Sequence, residues 1–343
     1  MKRFKSAKDI RVGVIGYGGA FNMGRHHLAE MRLAGMTPAA VAEIDTSRLD
    51  VARADYPGIE TYTSVSEMLK KSDVNLVTII TPHNTHAKLA MQCLNAKRHV
   101  VCEKPLAITT AECDAMIAAA RKNSVMLSTY HNRHWDGCIL RATDRIRAGA
   151  IGKVLRIHAH MGHYGKPGDW WRSSKSVSGG ILYDWGVHLL EYSLQLIDAP
   201  IVEVSGFAHS GVWAPQTAWK QDTNEDEGFA VVRFATGQYL TLCISSIDSN
   251  ARPFWLEVTG TEGAYSFNDF AYELIKRVQG ERVALNGQNP PSEGHRLYQN
   301  IADHLVKGTK LIISAEWARR PIHILDLAAQ SARKGAALKA KHR

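Results

Sequence analysis

The chain has 343 residues, with 42 Lys+Arg against 33 Asp+Glu for a formal charge of +9, 45% hydrophobic residues and 22% charged ones. These proportions exclude a disordered or fibrous chain and fit a globular protein of two domains. No apolar run reaches the roughly 18–20 residues of a membrane span; the most apolar stretch, 181–197, is broken by Asp184, His188 and Glu191.

The basic start MKRFKSAKDI leads straight into RVGVIG with no apolar signal core, so the protein is expected in the cytoplasm with no membrane partner. The five cysteines, Cys93, Cys102, Cys113, Cys138 and Cys243, contain no C-x-x-C pair and read as reduced core residues rather than a disulfide framework. The basic residues are spread along the chain without a helix-turn-helix, zinc-finger or aromatic RNA-binding signature, which argues against a nucleic-acid partner.

In chain order, β-branched runs at 10–15, 38–43, 74–80, 98–102 and 125–130 alternate with amphipathic stretches, the pattern of a parallel sheet covered by helices. Ser64 with Glu67, and Thr109 with Glu112, have the spacing of capping boxes at helix starts. A helix is predicted over 134–148, stopped by Gly149, and a long strand over 153–162. Further strands are predicted at 201–213, 228–235, 238–247, 254–260 and 273–278, with helices near 180–198, 294–307 and 321–340. The predicted fold is therefore an α/β domain with a parallel sheet over 1–130, followed over 131–343 by an α+β domain with a large, mostly antiparallel open sheet.

After the first strand, Gly16-Tyr17-Gly18-Gly19-Ala20-Phe21 is a G-x-G turn lacking the third glycine of the dinucleotide fingerprint. Its place at a strand-to-helix junction makes Gly16, Gly18, Gly19, Ala20, Phe21 and Asn22 candidates to cradle a pyrophosphate, with Asn22 capping the helix. The plainer reading is a structural glycine turn. Glu43 closes the second strand, where a carboxylate accepts both ribose hydroxyls of NAD and repels a 2′-phosphate. Arg48 serves either the phosphate of NADP or, as an ordinary solvated side chain, the first turn of a helix capped by Asp45. NAD is thus favoured, with NADP possible.

Four further stretches stand out: Thr81-Pro82-His83-Asn84-Thr85-His86, Glu103-Lys104-Pro105, Asn132-Arg133, and Gly179-Gly180-Ile181-Leu182-Tyr183-Asp184-Trp185-Gly186-Val187-His188. With these the chain resembles, over nearly its whole length, the glucose-fructose oxidoreductase / inositol dehydrogenase / MocA family. The resemblance implies a Rossmann domain and a second domain whose sheet commonly forms the oligomer interface, hence a homodimer or homotetramer. It also implies a nicotinamide facing Lys104, Asp184 and His188, with His188 as proton acceptor and Asp184 orienting a substrate hydroxyl. A cis bond before Pro105 belongs to the same habit of the family.

The residues fit that chemistry. Oxidising a secondary alcohol needs a base beside the nicotinamide, and the four-residue spacing of Asp184 and His188 places them on the same face of a helix. Lys104 donates to the developing alkoxide or shares the base role. Thr81, Pro82, His83 and His86 line the cofactor beyond a strand end, Glu103 orients the lysine or the nicotinamide ribose, and Arg133 contacts cofactor or substrate. His134 is assigned to the following helix. Of Trp170 and Trp171, one is expected in the core while Trp171 offers its face to a sugar ring, with Arg172 and the weaker candidate Tyr164 alongside. The substrate is a sugar, polyol or sugar derivative. A redox-neutral glycosidase, lyase or epimerase using bound NAD is the alternative, and it needs an extra acid or base from Tyr183, Tyr164 or His163. His158, His160 and His163 alternate along a strand and do not converge, so no metal is expected.

Overall fold

Largely buried stretches, covered on both faces of the sheet, form the strands β1 (Arg11–Ile15), β2 (Thr37–Ala42), β4 (Leu76–Ile79), β5 (His99–Cys102) and β6 (Leu127–Thr129), and the half-buried β3 (Glu60–Tyr62) joins them at one edge. They make one parallel sheet in the order β3-β2-β1-β4-β5-β6. Between them run α1 (Met23–Leu33), α2 (Thr46–Asp55), α3 (Val65–Lys71), α4 (His86–Asn95) and α5 (Thr110–Asn123). The strand order reverses between β1 and β4, the point beyond whose carboxyl ends doubly wound sheets bind ligands.

The computed structural model describes residues 3–19 and 21–342. The chain divides into two compact units, Met1–His131 with His295–Arg319, and Asn132–Gly294 with Arg320–Arg343. Among the described residues no helix is long and apolar enough to cross a membrane.

Local signals hold in part. Thr109 and Glu112 close a reciprocal capping box. At α3, Ser64 accepts the Glu67 amide, while the Glu67 carboxylate binds Lys71 at 2.6 Å. Asp45 caps α2 through the Ser47 amide. Asn22 does not cap α1: it is left-handed at φ 49 and makes no capping bond with its side chain. Strand β3 was not foreseen, because its three residues are only half-buried and carry no alternation.

His99, on β5, makes stability depend on pH. Its Nδ1 accepts the Met126 amide at 2.9 Å, and burial pushes the ring down to about 4. Above about pH 6.5, the unfolded value, the ring is neutral in both states and stability is unaffected. As pH falls from there toward 4, only the unfolded state binds the proton, so about 3 kcal/mol of stability is lost. His99→Asn, which keeps an acceptor, should therefore lose less in Tm between pH 7 and 4.5 than the parent, as calorimetry can read directly.

The second unit contains α6 (Gly137–Arg147), β7 (Val154–Gly162), the single turn α7 (Lys175–Ser178), α8 (Gly186–Leu196), β8 (Ile201–His209), β9 (Glu227–Phe234), β10 (Tyr239–Ser245), β11 (Leu256–Gly260), β12 (Gly263–Phe267), β13 (Ala271–Val278) and β14 (Glu281–Gln288). The chain ends in α9 (Arg296–Lys307), α10 (Ala315–Lys334) and the short β15 (Leu338–Lys339). The nine strands are ordered β14-β13-β12-β11-β7-β10-β9-β8-β15, antiparallel except for β7 with β10. Helix α10 packs so closely on β8 that a Cβ at Gly206 would lie 2.0 Å from the Ala328 carbonyl oxygen.

Several boundaries differ from expectation. The segment 132–135 is a 3₁₀ turn, so His134 precedes α6 rather than belonging to it. Helix α10 starts six residues before Pro321, which the sequence reading took as its start, and Gly335, at φ 65, closes it. Strands β12 and β14 were missed; β14 is almost wholly exposed and shows no buried periodicity. The predicted helix 180–198 begins only at Gly186, because Gly179 and Gly180 adopt φ 94 and 124 and a 3₁₀ turn follows at Ile181–Tyr183.

Candidate active site

The turn after β1 is built around Gly16. Its φ is 95, and an added Cβ would stand 2.1 Å from the Ile80 carbonyl oxygen. The amide of Gly16 donates to the Ala42 carbonyl at 2.9 Å, and that of Ile80 to the Ile15 carbonyl at 2.8 Å, so the turn sits where β1, β2 and β4 meet. Among the described residues, Gly18 has open space at its Cβ position, and Gly19 lies under the Arg48 guanidinium. Ala20 falls outside the described residues, and Phe21 is 53% exposed. The third glycine is Gly24, in the first turn of α1: a Cβ there would strike the Tyr17 ring at 2.5 Å. The sequence held this signal three residues later than the usual spacing.

Both oxygens of Glu43 are engaged. One accepts the Tyr17 amide at 2.6 Å, and the other accepts Ile44 at 2.7 Å and Asp45 at 3.1 Å. Arg48 is half-buried; its Nε donates to the Tyr17 carbonyl at 2.9 Å and a terminal nitrogen reaches Asn22 at 3.4 Å. Strand end and arginine thus brace the glycine turn from two sides.

Beyond β4, Thr81 bonds Thr85 at 2.6 Å. His83 and His86 are buried rather than presented to a ligand. His86 spans two loops, Nδ1 lying 2.7 Å from the Pro105 carbonyl and Nε2 2.8 Å from that of Thr81. Burial pushes its pKa down, against the pull of those carbonyls. It is a strut between the Thr81-Pro82 segment and the Glu103-Lys104-Pro105 turn, whose Lys104–Pro105 bond is cis.

Glu103 is set by residues that sequence reasoning missed. Its Oε1 lies 3.0 Å from His27 Nε2, and its Oε2 accepts the Lys104 amide at 2.9 Å. His27 Nδ1 is in turn 2.5 Å from the Tyr298 hydroxyl. Burial raises the Glu103 pKa, but His27 and Lys104 outweigh it and hold the carboxyl below the usual range. His27 follows the glycine turn closely; Tyr298 comes from α9, and nothing local in the sequence connects the two.

In the second unit, Asp184 ends the 3₁₀ turn and His188 lies in the first turn of α8. They therefore do not share a helix, as their spacing had suggested. Asp184 accepts Arg172 Nη1 on both oxygens, at 2.9 and 3.1 Å. His188 is 6% exposed and packs edge-on against Trp185, with ring centroids 5.5 Å apart. The Arg133 guanidinium lies 4.9 Å from a Trp185 ring centroid and donates to Asp136 at 2.8 Å. Asp136 also accepts the Tyr192 hydroxyl at 2.5 Å. His134 contacts buried Glu191 at 2.5 Å.

Neither tryptophan of the 170–171 pair belongs to the core; each ring centroid lies 5.2 Å from the Arg172 guanidinium. Tyr164 is 63% exposed and stacks edge-on upon Trp213, while Tyr183 is buried. His158 pairs with Thr241 at 2.6 Å and His160 with Asp248 at 3.0 Å, so these histidines have separate partners. Among the described residues Asp136, Cys138 and Asp269 do come within 4.8 Å, but the Arg133 cation already neutralises Asp136.

The family described as "oxidoreductase family, NAD-binding Rossmann fold" matches residues 10–131, and the GFO/IDH/MocA C-terminal domain matches residues 139–266. The chain therefore belongs to the glucose-fructose oxidoreductase / inositol dehydrogenase / MocA family, and its first unit is that family's NAD-binding Rossmann domain. It is 34% identical over 151 residues to an uncharacterized oxidoreductase of Schizosaccharomyces pombe, covering 43% of this chain and 41% of the relative. With a myo-inositol 2-dehydrogenase of Thermotoga maritima it shares 29% identity over 284 residues, 80% of each chain. A solved NAD-binding protein from Listeria innocua superposes with a TM-score of 0.80 at 25% identity, covering 97% of both chains. The chain spans between 41% and 55% of the first curated relatives it matches.

Proposed function

We propose that the protein is an NAD(P)-dependent oxidoreductase moving hydride between a secondary alcohol of a sugar, polyol or sugar derivative and the nicotinamide. The observation that carries this reading is the Glu103-Lys104-Pro105 turn, held by His27 and His86 at the carboxyl edge of a Rossmann sheet. The Thermotoga relative, named a myo-inositol 2-dehydrogenase, supports a cyclic polyol or sugar as the substrate class. When bound, the dinucleotide supplies the hydride acceptor. His188 takes the hydroxyl proton, Lys104 donates to the alcohol oxygen as charge develops there, and Asp184 orients a neighbouring hydroxyl.

Candidate residues at the glycine turn would hold the pyrophosphate on backbone amides around Gly18 and Gly19, with Glu43 turned to the adenosine ribose. On this reading NAD is preferred. Glu43→Ala should weaken NAD about tenfold and narrow its advantage over NADP. Calorimetric titration of both dinucleotides checks this; an unchanged NAD-to-NADP ratio would refute the role given to Glu43.

The direct test of the reaction is to denature the purified protein, identify any released nucleotide by mass spectrometry, and then assay NAD reduction across sugars and polyols. An exchanging dehydrogenase reduces added NAD with some member of that panel. Retained cofactor without net reduction would point instead to redox-neutral chemistry. No reaction and no nucleotide binding would refute the proposal.

The same proposal places the protein in the cytoplasm as a homodimer or homotetramer. The sheet face opposite Gly206 carries Phe207, 59% exposed, and Tyr239, 38% exposed, apolar surface that a second copy would cover. Sedimentation should return an oligomer; a monomer at every concentration would refute it.

A further inference from the structure

We propose that the Arg172–Asp184 pair makes the site a selector for an uncharged vicinal diol against a sugar acid. This rests on the reading of Asp184 as a group that faces substrate. The guanidinium is clamped: Nη1 donates to both Asp184 oxygens, and two indoles stack near it, each centroid 5.2 Å away. The side chains are 23% and 34% exposed, accessible to a ligand yet incompletely screened by water.

The segment bearing Arg172 is fixed independently of any ligand. Asn224 donates to the Arg172 carbonyl at 2.7 Å and to that of Ser173 at 2.9 Å, and the Ala218 amide donates to the Asp169 carboxylate at 2.8 Å. Loops 164–178 and 214–227 are thereby tied together. A fixed site of this kind pays little reorganisation when it binds.

Two neighbouring ring hydroxyls satisfy the pair as donor and acceptor. One O–H donates to Asp184, and the oxygen beside it accepts from the guanidinium, while Trp170, 37% exposed, offers an apolar face to the ring. A substrate carboxylate placed at the pair meets a guanidinium that Asp184 already neutralises, so two carboxylates would compete for the Arg172 charge. Charge therefore separates two substrate classes whose hydroxyl patterns are the same.

The test uses matched pairs that differ only at the terminal carbon, methyl hexopyranosides and the corresponding hexuronides of the gluco, galacto and manno series, with myo-inositol added. Binding to the NADH-loaded protein is followed by ligand-detected NMR, and oxidation by NAD is assayed in parallel. The wild type should prefer the neutral member of at least one pair by about tenfold or more. Asp184→Asn, which removes the competing charge, should bring that pair to parity or reverse it. Arg172→Met should weaken the neutral member and leave the acid rejected, and it provides the answer if the first variant does not fold by circular dichroism. Equal or tighter binding of the acids by the wild type, or unchanged selectivity in Asp184→Asn, overturns the proposal while oxidation of any pair member leaves the dehydrogenase reading standing. No binding and no oxidation across the panel overturns both.

Discussion

Lys104→Ala is expected to lower kcat by about 10²–10⁴-fold, the span of a positioned proton donor or acceptor, while NAD affinity and Tm stay close to the parent values. The reason for this separation is geometric. Glu103 binds the backbone amide of residue 104, and the strut from His86 reaches the Pro105 carbonyl, so both supports act on backbone atoms. Removing the amine therefore leaves the turn supported. His188→Ala should cost a comparable factor in kcat, and because the two groups act in one step the double variant should lose much less than the product of the single losses. Single-turnover rates with NAD and a substrate found in the panel would measure this. Turnover near the parental rate in both single variants would remove Lys104 and His188 from the mechanism.

Gly16→Ala is expected to destabilise the first unit by about 3 kcal/mol or more, combining left-handed strain with forced separation of packed backbone. The clash is with the Ile80 carbonyl oxygen, 2.1 Å from the new carbon, where two backbone hydrogen bonds hold β1 to its neighbours and nothing flexible can yield. Gly18→Ala is the contrasting case. Among the described residues, its two chain neighbours aside, no atom lies within 4 Å of its Cβ position, so Tm should be unchanged, whereas NAD affinity should fall about tenfold if the pyrophosphate approaches that backbone. Thermal melts with dinucleotide titrations distinguish the two; equal stability losses would show that both glycines are merely structural.

The parallel sheet was legible because β1 and β4 are almost wholly buried, which leaves an unbroken apolar run at each. The half-buried β3 and the exposed β14 carry no such imprint. At the site, Glu103, Lys104 and Pro105 were legible from their motif and the glycine turn from its place after a strand. Gly24 was passed over because its spacing differs, although its contact with Tyr17 performs the packing assigned to the third glycine. The helix placed around Asp184 failed at Gly179 and Gly180: both take positive φ, and periodicity does not register that. Arg172 was read as a ligand-facing donor, but its bond to Asp184, 12 positions along the chain, was not foreseen, because no local pattern announces an ion pair at that distance.

The contact between His27 and Tyr298 joins residues 271 positions apart, and the segment His295–Arg319 belongs to the unit that begins at the amino terminus. During synthesis, the dinucleotide-binding half therefore emerges long before the helix that completes it. The intervening unit must be made first, and until then the polar face of His27 lacks its hydroxyl partner. Loop closure over so many residues slows the final assembly. Ribosome-bound chains ending near residue 294 should remain protease-sensitive in their first 131 residues and become resistant only once α9 has left the exit tunnel.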